Sequence, residues 1–202
     1  MQLLMAALLT VNLQLVVRVY DSAGARPVDV ERARASVGAI LTSVGIDPIW
    51  RPCHVSTCTG PVKPHEVVVR LVTSRPGSAT GSLGFSLIDV SQHAGSLGTI
   101  YIDRVHALAT QSGVEEGDLL GRAIAHEIGH LLIGTSGHAR SGLMRAVWVT
   151  SELRRGQPSD WVFSRREGAE LRRHLEERIW PRTLMARAND VAQDPGSEVC
   201  DH

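Results

Sequence analysis

The amino-acid sequence predicts an α+β chain, on three observations. Short valine- and isoleucine-rich runs at 13–20, 46–51, 66–73 and 99–103 carry the length and β-branched content of strands. Two longer segments, 29–44 and 118–133, repeat their apolar residues at helical intervals. The order of these segments, strand, helix, strands and then helix, interleaves the two types within 202 residues of which 43% are hydrophobic, enough for one core of ordinary size.

The elements follow in chain order. Leu13 to Tyr20 reads as a strand and Asp21-Ser22-Ala23-Gly24 as a turn. Asp29 to Val44 is an amphipathic helix with Val30, Ala33, Val37, Ile40, Leu41 and Val44 on one face. Ile46 to Arg51, Glu66 to Thr73 and Thr99 to Asp103 are further strands. The glycine- and serine-rich stretch Ser74 to Gly98 is too long for a plain connection and suits a loop that shapes a cleft, or a surface excursion. Residues 104–112 are helical. Next comes Asp118 to Ile133, with Asp118 as N-cap and Gly134 where a left-handed terminating residue is wanted. A last helix spans Arg165 to Ile179 behind the capping box Ser164-Arg165-Arg166-Glu167. Domain boundaries are read as an apolar segment 1–11, one domain over 12–180, and a tail 181–202 with little periodicity, expected to be disordered.

Function enters through the helix at 118–133, which contains His126-Glu127-Ile128-Gly129-His130. Residues four apart share a helix face, so the His126 and His130 imidazoles can reach one ion. Glu127 projects beside them, placed to take a proton from a water at an open position of that ion. The helix stops at Gly134, and the loop Gly134-Thr135-Ser136-Gly137 can turn the chain back to bring His138 in as a third ligand. The expected cofactor is one catalytic zinc ion.

With these residues the chain resembles the zincin metallopeptidases, and more narrowly the metzincins, whose pattern is HExxHxxGxxH followed by a turn containing methionine. Here the third histidine comes two residues later than in that pattern and the glycine one residue later. Ser141-Gly142-Leu143-Met144 resembles the methionine-containing turn. The resemblance implies a zincin-like fold, a twisted mixed sheet packed on helices with the metal helix beneath the cleft. It also implies that Met144 forms the apolar floor of the site. In that family an edge strand binds extended peptide by backbone hydrogen bonds, and Thr99, Ile100, Tyr101 and Ile102 are the candidates, although their alternation equally suits an ordinary half-buried strand.

The resulting expectation is a zinc metallopeptidase, an endopeptidase, acting as a monomer on peptide or protein. The alternatives are a zinc-binding module without catalysis and a zinc hydrolase of a non-peptide substrate. If His138 is not the third ligand, Glu167 or Glu170 replaces it. Tyr101, His106, Arg140 and Arg145 lie near the motif without a role assigned, and His54, His65, His93, His174 and His202 are read as structural or exposed.

Composition narrows the partners. The 21 basic and 21 acidic residues balance, with no basic block, so nothing points to nucleic acid. Asn12, Gln14 and Arg18 interrupt the apolar N-terminal run before it could form a stable membrane span, while residues 1–11 resemble the core of a secretory signal or extend the first strand. Cys53 and Cys58 lack the second ligand pair of a metal knuckle and are read as a small disulfide, leaving Cys200 unpaired. A disulfide points to a secreted or periplasmic protein, with the cytoplasm as the alternative.

Overall fold

The structure is a computed structural model that describes residues 13–75, 81–89, 91 and 94–180. The apolar segment 1–11, the tail 181–202, His93, Cys200 and His202 lie outside the described residues. Five strands, β1 (Leu13–Asp21), β2 (Ile46–Cys53), β3 (Glu66–Val72), β4 (Gly84–Asp89) and β5 (Ala94–Tyr101), form one mixed sheet of order β2-β1-β3-β5-β4. All neighbours run parallel except β4, which lies antiparallel to β5 at the sheet's edge. The α-helices are α1 (Pro27–Thr42), α2 (Ile102–Ser112), α3 (Glu116–Ile133), α4 (Thr150–Arg155) and α5 (Arg165–Ile179). None of the described helices is long and apolar enough to cross a membrane.

Strand alternation decides the two sheet faces. Leu13, Leu15, Val17 and Val19 of β1 join Val67, Val69 and Leu71 of β3 in the core beneath the helices. The opposite face carries a charge cluster. Arg18, 6% exposed, pairs with the buried Glu66, which also binds Arg51 at 3.1 Å and accepts from the Lys63 N–H at 3.0 Å. Burial works to raise the Glu66 pKa, but the Lys63 N–H and the two guanidinium groups together hold it below the usual carboxylate range. Arg18 also donates to the carbonyls of Gly60 and Pro61, which lays the 54–65 segment over this face.

Several element limits differ from the sequence reading. Pro27 opens α1 two residues before Asp29, as its fixed φ suits a first helical position. The N-cap of α3 is Glu115, not Asp118. Asp118 lies in the first turn, where its carboxylate accepts from the Ser36 hydroxyl at 3.2 Å. The stretch read as a loop between 74 and 98 contains β4 and the first half of β5. Consequently Thr99, Ile100 and Tyr101 are not on an edge. Thr99 pairs with Arg70 of β3 on one side and Phe85 of β4 on the other, and Ile102 already begins α2. The edge is β4.

Cys53 and Cys58 form a disulfide around a turn in which the N–H groups of Thr57 and Cys58 both bond the His54 carbonyl. The Tyr20 hydroxyl donates to the Cys58 carbonyl at 3.1 Å, so the closed turn is tied to β1. Replacing both cysteines by serine is expected to lower stability by about 2 kcal/mol, the loop-closure entropy of so short a ring. The shift in urea midpoint between the oxidised wild type and the double variant measures it.

Candidate metal centre

Three sides of α3 are approached at near-backbone distance. A Cβ on Gly121 would lie 2.8 Å from the Ala33 carbonyl oxygen of α1, and one on Gly95 of β5 would lie 2.7 Å from the Leu131 side chain. On the third side, Gly129 faces Met144, whose Sδ would be 2.5 Å from an added Cβ. The Met144 side chain, 2% exposed, therefore occupies the space that a side chain at 129 would take.

Gly134 ends α3 with φ at +71°, and its N–H bonds the His130 carbonyl at 2.9 Å. The chain then reverses through Thr135, whose Oγ1 accepts from the Gly137 N–H at 3.0 Å. His138 follows, exposed on one side, and the Ala139 N–H bonds the Met144 carbonyl at 2.8 Å. His126, His130 and His138 converge so that one ring nitrogen of each lies within 4.8 Å of the other two. The His130 Nε2 is 3.0 Å from His126 Nε2 and 3.3 Å from His138 Nε2.

The outer nitrogens decide what these inner ones can do. His126 Nδ1 stands 2.9 Å from the Leu143 carbonyl and His130 Nδ1 stands 2.7 Å from the Thr135 carbonyl. A carbonyl only accepts, so each Nδ1 carries the proton and each Nε2 is left as a bare lone pair. The contact between the two Nε2 atoms is then not a hydrogen bond, because neither has a proton to donate. Converging lone pairs call for a cation. Two nitrogens 2.0–2.1 Å from one tetrahedral zinc lie roughly 3.3 Å apart, close to the spacing found here. The residues present therefore fit a zinc ion.

Burial tunes the same groups. It lowers the His126 pKa to about 4, against the raising effect of the Leu143 carbonyl and with the neighbouring imidazoles adding to the fall. Burial lowers that of His130 as well. It raises Glu127 to about 7, against the lowering effect of its hydrogen bond from Ser86. Both histidines are thus neutral and ligand-ready at neutral pH.

These groups lie along a cleft of about 650 Å³, bounded by β4 on one side and by Arg145 to Trp148 on the other. Trp148 sets its ring edge-on to His126 at 5.6 Å and to Trp161 at 5.4 Å. Sequence reasoning missed Trp148 and Ser86, which no motif marks. Among the unassigned neighbours, Arg145 lines the cleft and pairs with Glu152 at 2.9 Å. His106 pairs with Glu116 at 2.8 Å, and Tyr101 carries the Arg104 guanidinium over its ring at 4.2 Å. The alternative ligands are used elsewhere. Glu167 accepts from the Ser164 N–H in the capping box, and Glu170 pairs with Arg166.

Two outcomes follow. Gly129→Ala is expected to cost about 1–3 kcal/mol through overpacking against Met144 and Phe163, and less in a Met144→Ala background. Paired denaturation curves measure the difference. The metal-free protein should lose stability as pH falls from about 6.5 toward 4.5. There the unfolded chain protonates His126 and His130 while the fold resists, which outweighs the one proton Glu127 holds in the fold. Glu127→Gln removes that opposing proton, so its loss over the same range should be steeper in pH-dependent urea unfolding.

No family model matches the sequence, and no curated protein matches it. Among solved structures the chain is similar to archaemetzincin from Methanopyrus kandleri, with a TM-score of 0.52 and 17% sequence identity over 81% of this chain and 96% of that one. At that identity the likeness speaks for architecture alone, and the mixed sheet over α3 is an archaemetzincin-like fold.

Proposed function

We propose that this protein is a zinc-dependent metallopeptidase whose metal is held by His126, His130 and His138. The observation that carries the reading is the convergence of three imidazoles, of which His126 and His130 have their outer nitrogens already spent on carbonyls, beside the buried carboxylate of Glu127. The likeness to archaemetzincin supports it by fold. Zinc, when bound, supplies Lewis acidity to a water and to the scissile carbonyl.

The chain supplies the rest. Glu127 accepts the proton of the attacking water and passes it to the leaving amine nitrogen. In the metal-free protein burial raises its pKa to about 7. The edge strand β4, which lines the cleft, is the place for an extended peptide to add as a further strand, a role we move here from β5. Leu83, Leu108, Ala123 and Trp148 in the cleft wall favour an apolar substrate side chain. The open cleft and the intact Glu127 weigh against a purely structural zinc module. The Cys53–Cys58 disulfide supports a secreted or periplasmic location.

Elemental analysis with hydrolysis of quenched-fluorescent peptides tests the proposal. Wild type should carry one zinc and lose activity to chelators, and His138→Ala should lose the metal. Glu127→Gln should keep it while kcat falls by about 10²–10⁴-fold. Undiminished zinc in His138→Ala overturns the three-histidine site, and zinc without peptide hydrolysis overturns the peptidase.

A further inference from the structure

Ser86 stands in the middle of β4, opposite Gly98 of β5, with its side chain turned toward α3. Its neighbours Phe85 and Leu87 point the other way and are 42% and 55% exposed. The Ser86 Oγ lies 2.7 Å from Glu127 Oε2 and 3.0 Å from the Glu127 backbone carbonyl. The shorter contact has the length of a charge-assisted O–H···O bond.

Glycines make this reach possible. A Cβ on Gly98 would stand 3.3 Å from Glu127 Cβ, and one on Gly84 would stand 3.0 Å from Glu127 Oε1. The strand pair therefore rests on the Glu127 side chain itself. Ser86 alone on that face of β4 has a hydroxyl to offer it, and a hydroxyl has one proton to give.

From this geometry we infer that Ser86 is the positioning residue for the Glu127 carboxylate: its O–H holds Oε2, and Oε1 is left as the atom that accepts and returns the proton. This rests on the reading of Glu127 as general base. Oε2 accepts from Ser86 whether or not Oε1 carries a proton, so the clamp persists through the transfer.

Two measurements on the full chain test the assignment. In zinc-free protein at about pH 8.5, where Glu127 is ionised, Ser86→Ala and Glu127→Ala are combined in a double-mutant cycle read by urea unfolding. The effects should be non-additive by about tenfold or more in the unfolding constant, as for a hydrogen bond to a charged group. Additive effects overturn the clamp. In the zinc-loaded enzyme, Ser86→Ala should lower kcat by about 10–100-fold at unchanged KM and zinc content, a part of what general-base catalysis contributes. Ser86→Thr, which restores the hydroxyl, should recover most of it. An unchanged kcat in Ser86→Ala, or no recovery in Ser86→Thr, overturns the positioning role. If wild type hydrolyses no peptide, the peptidase reading fails while the cycle still reports on the clamp.

Discussion

Close packing around α3 is the constraint on which the rest of the structure depends. The helix meets α1, the β4–β5 pair and the methionine turn at distances that leave no room for a Cβ at Gly117, Gly121 and Gly129, or at Gly84 and Gly95 on the sheet. Glycine inside a helix costs about 1 kcal/mol relative to alanine, so three in α3 are a considerable intrinsic loss. What offsets it is burial: Leu119, Leu120, Ile124, Ile128, Leu131 and Leu132 are all essentially inaccessible to solvent. The helix is held by its surroundings more than by its own propensity. Its functional side chains are fixed to the same degree.

Fixing them matters for the metal proposed here. Unprotonated nitrogens face each other at 3.0 Å, and burial discourages either imidazole from taking a proton. The two carbonyls at Leu143 and Thr135 hold the rings with their Nε2 atoms turned toward one another, the orientation the proposed metal would require. Each carbonyl belongs to a segment that also carries another part of the site. Leu143 precedes Met144, and Thr135 begins the reversal that ends at His138.

The helix and the pairing of its two histidines on one face were legible in the sequence because they are local. A four-residue spacing places His126 and His130 on one face, Gly134 stops the helix, and the Ser164 to Glu167 capping box needs no distant partner. The β4 strand was not legible, and the reason is the packing itself. Gly84 and Ser86 of β4, like Gly95 and Gly98 of the neighbouring β5, are poor strand formers that stand where the sheet touches α3, and they erase the alternating apolar signal. The edge was misplaced for a related reason. Whether a strand is interior or peripheral depends on non-local register, and the run 99–102 looks the same either way. Trp148 escaped notice because its contact with His126 crosses from a segment without periodic structure.

His138 reaches the histidine cluster although it stands two residues later than in the motif the chain resembles. A longer loop after α3 could displace His138 from the site, yet its Nε2 stands 3.3 Å from that of His130. The additional residues are absorbed inside the reversal. Thr135 gives its carbonyl to His130 Nδ1 and its hydroxyl oxygen to the Gly137 N–H, so the loop is pinned at both ends of the turn it makes. The Ala139 to Met144 backbone bond then returns the chain under the site. A metal site constrains where nitrogen atoms arrive and not how many residues separate them. The count between His130 and His138 can therefore vary, provided the loop satisfies its own backbone groups and still delivers the ring.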